Sequence, residues 1–281
     1  MERAYTLGLY EKAMPSDLTW REKLLAAKEA GFDFVEISID ETDAKLSRLD
    51  MTKEERFGLV RLMQETGVPI RTMCLSGHRK YPLGSSDPAV EARGIEIMEK
   101  AIRLAEDLGI RIIQLAGYDV YYEESTFETK KRFLANLKKA ADMAAKAGVT
   151  MGFETMENEF MNTVEKAMKY VTLVGSPYLN VYPDIGNITN AAKTYENDVL
   201  EDLELGKGHI VAMHLKETVP GKFREIPFGT GHVDFESAVT KAWELGVRKY
   251  VTEFWYTGNP GWKEDLTFAN EMFTRILNGR A

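Results

Sequence analysis

Five times along the chain a helix-like run stops at a glycine, and an apolar residue opens an extended run directly behind it. The five are Glu29-Ala30-Gly31-Phe32, Glu65-Thr66-Gly67-Val68, Asp107-Leu108-Gly109-Ile110, Lys146-Ala147-Gly148-Val149 and Glu244-Leu245-Gly246-Val247. Glycine closes a helix in the left-handed conformation without the steric cost of a Cβ, and a strand can begin two or three residues later. Amphipathic runs precede these glycines at 20–30, 53–66, 89–108, 126–147 and 235–245. Short, nearly continuous apolar runs follow at 34–39, 70–75, 112–116, 150–153 and 250–254. Three more apolar runs, at 6–10, 179–182 and 210–215, fill the gaps and bring the strand candidates to eight. Strands without clean polar alternation are buried on both faces, as in a parallel sheet covered by helices. The expected fold class is α/β.

The 281 residues fit two domains of about 150, or one closed barrel of about 250. No Pro/Gly/Ser-rich linker divides the chain, and eight strand–helix units suit one (β/α)8 TIM barrel spanning residues 1–281. A doubly wound sheet is the alternative. Its mark, a glycine-rich phosphate turn after the first strand, is missing, because that strand runs on into Leu9-Tyr10-Glu11-Lys12.

Composition narrows the function. Thirty-six Lys and Arg against 44 Asp and Glu give a net charge of −8, which disfavours nucleic acids and anionic membranes as partners. A single cysteine, Cys74, excludes an internal disulfide and any four-cysteine metal site. The N-terminus carries no signal-peptide pattern and no window reads as a membrane span, so a cytoplasmic protein is expected.

In a barrel of this kind the working residues stand where strands end. Four of the runs end in Gly152-Phe153-Glu154, Tyr182-Pro183-Asp184, Met213-His214-Leu215-Lys216 and Thr252-Glu253-Phe254. Glu154, Asp184, His214 and Glu253 are spaced about one βα unit apart and should converge at one rim. Charges at the ends of apolar strands are costly unless paired or metal-bound. Three carboxylates and an imidazole suit Mn2+, Mg2+, Co2+ or Zn2+; unrelated strand ends, or ion pairs with Lys216 and Arg248, are the other reading. His78, in Ser76-Gly77-His78-Arg79-Lys80, falls on a working-rim loop and suits a substrate or phosphate contact. His209 reads as structural, His232 as part of a glycine-containing rim loop, and Cys74 as core.

These residues carry a resemblance. The set Glu154, Asp184, His214 and Glu253 resembles the metal site of sugar 3-epimerases in the xylose-isomerase-like barrel superfamily. The stretches Cys74–Arg79, Tyr182–Asn187, His214–Thr218, Pro220–Arg224 and Pro227–Gly231 resemble the L-ribulose-5-phosphate 3-epimerases (L-xylulose-5-phosphate 3-epimerases) of L-ascorbate utilisation, over essentially the whole chain. The resemblance implies one divalent ion, Zn2+ or Mn2+ with Co2+ or Mg2+ as alternatives, held by those four residues. It implies Glu154 and Glu253 as acid and base, inverting C3 of a ketose phosphate through a metal-stabilised cis-enediolate. Strands five and eight, three apart around the ring, would place the two glutamates across the mouth. Epimerases of free ketoses carry a His where this chain has Asn187, and an Arg closer to the strand-seven His than Arg224. Both departures fit a phosphorylated substrate, with His78, Arg79, Asn187, Lys216 and Arg224 as its expected contacts. A homodimer is also implied. An aldose–ketose isomerase of hexulose-6-phosphate type is the alternative on the same scaffold.

Overall fold

In the computed structural model, which describes residues 3–280, the eight expected strands form one parallel sheet. They are β1 (Thr6–Tyr10), β2 (Phe34–Ile39), β3 (Ile70–Leu75), β4 (Ile112–Ala116), β5 (Thr150–Glu154), β6 (Leu179–Val181), β7 (Met213–Leu215) and β8 (Lys249–Thr252). Their order is β6-β5-β4-β3-β2-β1-β8-β7. Parallel bridges from Val181 to Ile210 and from Asp184 to His214 join the two ends, so the sheet closes into a barrel. The β6–β7 seam has only these isolated bridges, whereas β2 and β3 pair over five registered residues.

Among the described residues ten α-helices lie between the strands and after the last one: α1 (Trp20–Glu29), α2 (Asp43–Leu46), α3 (Lys53–Thr66), α4 (Pro88–Leu108), α5 (Phe127–Ala147), α6 (Val164–Val174), α7 (Ile185–Tyr195), α8 (Val199–Glu204), α9 (Phe235–Glu244) and α10 (Trp262–Asn278). Local chemistry starts several of them. Thr19 and Thr52 form capping boxes with Glu22 and Glu55, and Thr126 forms one with Thr129. The five glycines named above end helices as expected, all with positive φ between 65° and 88°. Gly175 closes α6 in the same way. It escapes the sequence pattern because Ser176-Pro177, not an apolar residue, follows it.

Each strand sends alternate side chains to opposite faces of the sheet. Leu9, Met73 and Tyr250 point outward into the layer shared with the helices, while their neighbours Tyr10, Cys74 and Val251 belong to a separate apolar cluster with Phe34, Ile112, Tyr182 and Ala212 inside the barrel. Both faces are therefore apolar, which is why the strands show no polar alternation. The inner cluster is the floor on which the polar residues of the rim stand. Among the described residues, no helix is long and apolar enough to cross a membrane.

Candidate metal and substrate site

The four strand-end residues do converge. Glu154 is the last residue of β5, Asp184 follows β6, His214 is the centre of β7 and Glu253 follows β8. One donor atom from each lies within 4.8 Å of those of the others, and all four residues are buried. The backbone sets this geometry. Asp184 and His214 are bridge partners across the seam, and Glu253 N–H donates to Leu215 O at 2.9 Å. Asp184 is divided between two tasks. Its Oδ1 caps α7 by accepting from Asn187 N–H at 2.7 Å, and its Oδ2 faces the site.

The carboxylates are not satisfied by the protein alone. Asp184 Oδ2 and Glu253 Oε2 are buried and accept no well-aligned hydrogen bond, although the Lys216 ammonium lies 3.1 and 3.4 Å from them. His214 Nδ1 stands 3.3 Å from Glu253 Oε2, 3.9 Å from Asp184 Oδ2 and 4.0 Å from Glu154 Oε1. Donors bound about 2.0–2.2 Å from one cation lie roughly 3–3.5 Å apart, so small inward movements would complete a coordination shell.

The charge balance points the same way. Glu36, Glu154, Asp184 and Glu253 are buried together with His214 and Lys216. With His214 neutral, as a ligand to a cation must be, four carboxylates against one ammonium leave 4 − 1 = 3 uncompensated negative charges, an excess that a divalent ion would largely offset. Without an ion the cluster holds protons. Burial, then the Glu253 charge, pushes the Glu154 carboxyl up to about 8. Burial lifts Asp184 to about 7 against the opposing pull of Lys216. Glu253 goes the other way: burial would raise it, but Lys216 and His214 hold it well below the usual carboxylate range. For His214, burial disfavours the imidazolium, yet Glu36 and Glu253 outweigh it and keep the ring basic. Unpaired buried oxygens, donor spacing and surplus charge all fit a divalent cation.

Above the cluster opens a cavity of about 190 Å³, lined by Glu154, Glu253, Asn187 and Lys216 at its base and by Lys12, Arg79 and Arg224 among its walls. Asn187 donates its amide to Thr155 O at 2.7 Å, leaving its buried carbonyl oxygen without a partner. Arg79 and Arg224 come from different loops, yet each has a guanidinium nitrogen 3.6 Å from the same oxygen, Glu157 Oε1. Trp255, Phe223 and Met156 supply apolar wall. The Cys74 thiol also lines the cavity, kept protonated by burial and the neighbouring carboxylates.

His78 departs from expectation. Its loop is on the rim, but its ring is buried, and Nε2 sits 3.0 Å from Gly94 O. A carbonyl only accepts, so Nε2 carries the proton. Burial keeps the ring neutral, with its pKa lowered to about 4. Gly94 makes this contact possible: a Cβ there would meet Tyr81 O at 2.5 Å, so α4 and the β3 loop touch through a residue without a side chain. His78 ties loop to helix and does not line the cavity. His232 pairs with Thr218 Oγ1 at 3.0 Å and exposed His209 with Asn180 at 3.3 Å, both outside the cavity lining.

Sequence reasoning passed over Glu36 and Gln114. Glu36 Oε1 is 2.6 Å from His214 Nε2, and the Gln114 amide nitrogen lies 3.0 and 3.2 Å from the two ring nitrogens. Both sit inside strands read simply as apolar runs. The available signal was parity: Glu36 shares a face of β2 with Phe34, and Gln114 a face of β4 with Ile112, both in the inner cluster.

Comparison with known proteins places this geometry in company. The family described as "Xylose isomerase-like TIM barrel" matches residues 24–272. The chain is 50% identical over 256 residues to the L-ribulose-5-phosphate 3-epimerase UlaE of Salmonella paratyphi C (strain RKS4594), covering 91% of this chain and 89% of the relative. It is 49% identical over the same length and coverage to the protein of that name from Escherichia coli (strain SMS-3-5 / SECEC). Among solved structures, an L-ribulose 3-epimerase superposes with a TM-score of 0.78 at 21% identity, covering 98% of this chain and 95% of that one. A D-allulose 3-epimerase from Methylomonas sp. in complex with D-allulose superposes with a TM-score of 0.77 at 20% identity, with 97% of each chain covered. At that identity the structural likeness establishes the fold.

Proposed function

The chain belongs to the xylose isomerase-like TIM barrel family and, within it, to the L-ribulose-5-phosphate 3-epimerases, and from that premise we propose that it interconverts L-ribulose 5-phosphate and L-xylulose 5-phosphate at C3. The observation that carries the reading is the buried Glu154–Asp184–His214–Glu253 cluster at the floor of an open cavity. These four residues would hold the divalent ion, Zn2+ or Mn2+ first and Co2+ or Mg2+ as alternatives. When bound, such an ion supplies Lewis-acid stabilisation of the negative charge that develops beside C2 as C3 is deprotonated.

The chain's own groups do the rest. Inverting C3 requires a proton to leave one face and another to arrive at the opposite face, which a single base reaches poorly. Glu154 and Glu253 line the cavity from strands three apart around the ring. One takes the C3 proton and the other delivers one, and the roles exchange in the reverse direction. The free carbonyl oxygen of Asn187 accepts from a substrate hydroxyl, and Lys216 keeps the acids in place. Arg79 and Arg224 already converge on one anion, Glu157, and a phosphate, with more negative charge and three acceptor oxygens, would draw the same two guanidiniums. Of the five expected substrate contacts, His78 is dropped for the reason given above.

One barrel domain over residues 1–281 would carry the whole activity. Sugar phosphates do not cross membranes unaided, which favours a cytoplasmic enzyme. Exposed Phe268, which lines an apolar recess beside Trp255 at the rim, favours a homodimer.

The test is substrate preference. The cation-loaded protein given L-ribulose 5-phosphate should form L-xylulose 5-phosphate, read by NMR, and unphosphorylated L-ribulose should turn over at least tenfold less efficiently in kcat/KM. Equal efficiency on both sugars would contradict the phosphate assignment. No C3-inverted product from either would contradict the activity.

A further inference from the structure

We propose that Glu36 is a positioning residue for the cation site: it fixes the tautomer and orientation of His214, so that Nδ1 is the nitrogen presented to the ion. The inference rests on the metal reading above and concerns a residue outside the ligand set. Glu36 lies inside β2, on the far wall of the barrel from β7, and is fully buried. A buried ionised carboxylate is costly unless its oxygens are paired. Both are: Oε1 lies 2.6 Å from His214 Nε2, and Oε2 accepts from Tyr182 O–H at 2.9 Å. β2, β7 and the residue directly after β6 thus fix one carboxylate against one ring.

The protonation pattern follows from donors and acceptors. An ionised carboxylate only accepts, so the hydrogen bond places the proton on Nε2. In the cation-bound state, where the ring is neutral, the lone pair is then on Nδ1, the nitrogen facing Glu253 Oε2 at 3.3 Å and the other two carboxylates at 3.9 and 4.0 Å. Gln114 does not compete for it. Its amide nitrogen is nearly equidistant from both ring nitrogens, at 3.0 and 3.2 Å, which puts it over the ring face. It holds the ring plane and leaves the in-plane lone pair free. A carboxylate behind a ligating histidine also makes the imidazole a better donor, and losing such a partner typically weakens metal affinity about 10–100-fold.

The test is cation affinity, measured by competition with a chelator for Zn2+ and Mn2+ on purified wild type, Glu36→Gln and Tyr182→Phe, without substrate. Glu36→Gln should weaken binding about 10–100-fold and Tyr182→Phe less. At saturating cation, KM for the sugar phosphate should stay within about twofold of wild type, because Glu36 does not line the cavity. Glu36→Gln binding within twofold of wild type would overturn the inference. If that variant does not fold, the cation-loaded wild type decides. Long-range 1H–15N correlation of His214 should show a protonated Nε2, and a protonated Nδ1 would overturn the assignment. Wild-type protein that takes up neither cation would overturn the metal reading and this inference with it, whereas a wild type that binds and a Glu36→Gln that binds equally would overturn this inference alone.

Discussion

Glu154 and Glu253 share one site yet sit in different electrostatic positions. Glu253 is beside Lys216 and His214, which favour its charge, while Glu154 is pushed up by burial and by Glu253 itself. If each serves one face of C3, then Glu154→Gln and Glu253→Gln should each lower kcat about 10²–10⁴-fold. Their far-ultraviolet circular dichroism and two-state melting should be retained, with cation occupancy checked in parallel. Near-normal turnover in either variant would break the two-base assignment. The four strand-end residues were legible in the sequence because a charge that ends an apolar strand has few places to go. Glu36 was not, because it is in mid-strand and its meaning depends on which face of β2 it occupies. His78 shows the reverse error. Sequence placed its loop on the rim correctly, but membership of a loop does not fix where a side chain points, and Gly94 O captured the ring.

At the scale of elements, the site lies on the weakest part of the barrel wall. β6 and β7 have three residues each and are joined by isolated bridges, one of them Asp184–His214 itself. A cation held by Asp184 and His214 would staple that seam. Ligand binding to the folded state stabilises by mass action, and here the gain should concentrate where the bridged strands meet. Hydrogen exchange of the Val181, Val211 and His214 amides, all bonded across the seam, should slow on cation loading by a larger factor than exchange in the β2–β3 ladder. Uniform protection of all strands would argue against a staple. The eight strands and the five helices α1, α3, α4, α5 and α9 were legible, since glycine at a helix end and apolar runs on both strand faces are local signals, whereas α2, α6, α7, α8 and α10 lack that glycine–apolar signal. The short β7 was not: the expected run 210–215 narrows to Met213–Leu215 because Ile210 pairs singly with Val181.

For the whole molecule, the acidic surplus has a buried component with consequences for stability. In the metal-free protein, Glu154 and Asp184 titrate near 8 and 7, well above about 4 for unfolded carboxylates, and His214 stays protonated above its ordinary range. The folded state then binds more protons than the unfolded state, so the stability this cluster contributes is fully present below about pH 4 and is lost progressively as pH rises from there through 8. Calorimetry of chelator-treated protein should show Tm falling by several degrees between pH 5.5 and 8.5, and saturating cation should flatten that slope. A metal-free Tm that rises over this interval would contradict the protonated cluster. The barrel, its one working rim and the convergence of Glu154, Asp184, His214 and Glu253 could be read from sequence at this scale, because eight repeated units leave little choice of closure. The charge balance of the site could not, because it needs Glu36 counted with the ligands. The central claim remains proton exchange at C3. The most direct measurement is incubation of the cation-loaded protein with L-ribulose 5-phosphate in D2O, with the label located by NMR. The account predicts solvent deuterium at C3 of the L-xylulose 5-phosphate formed; deuterium confined to C1 or C2, or product formed with no solvent label, would contradict it.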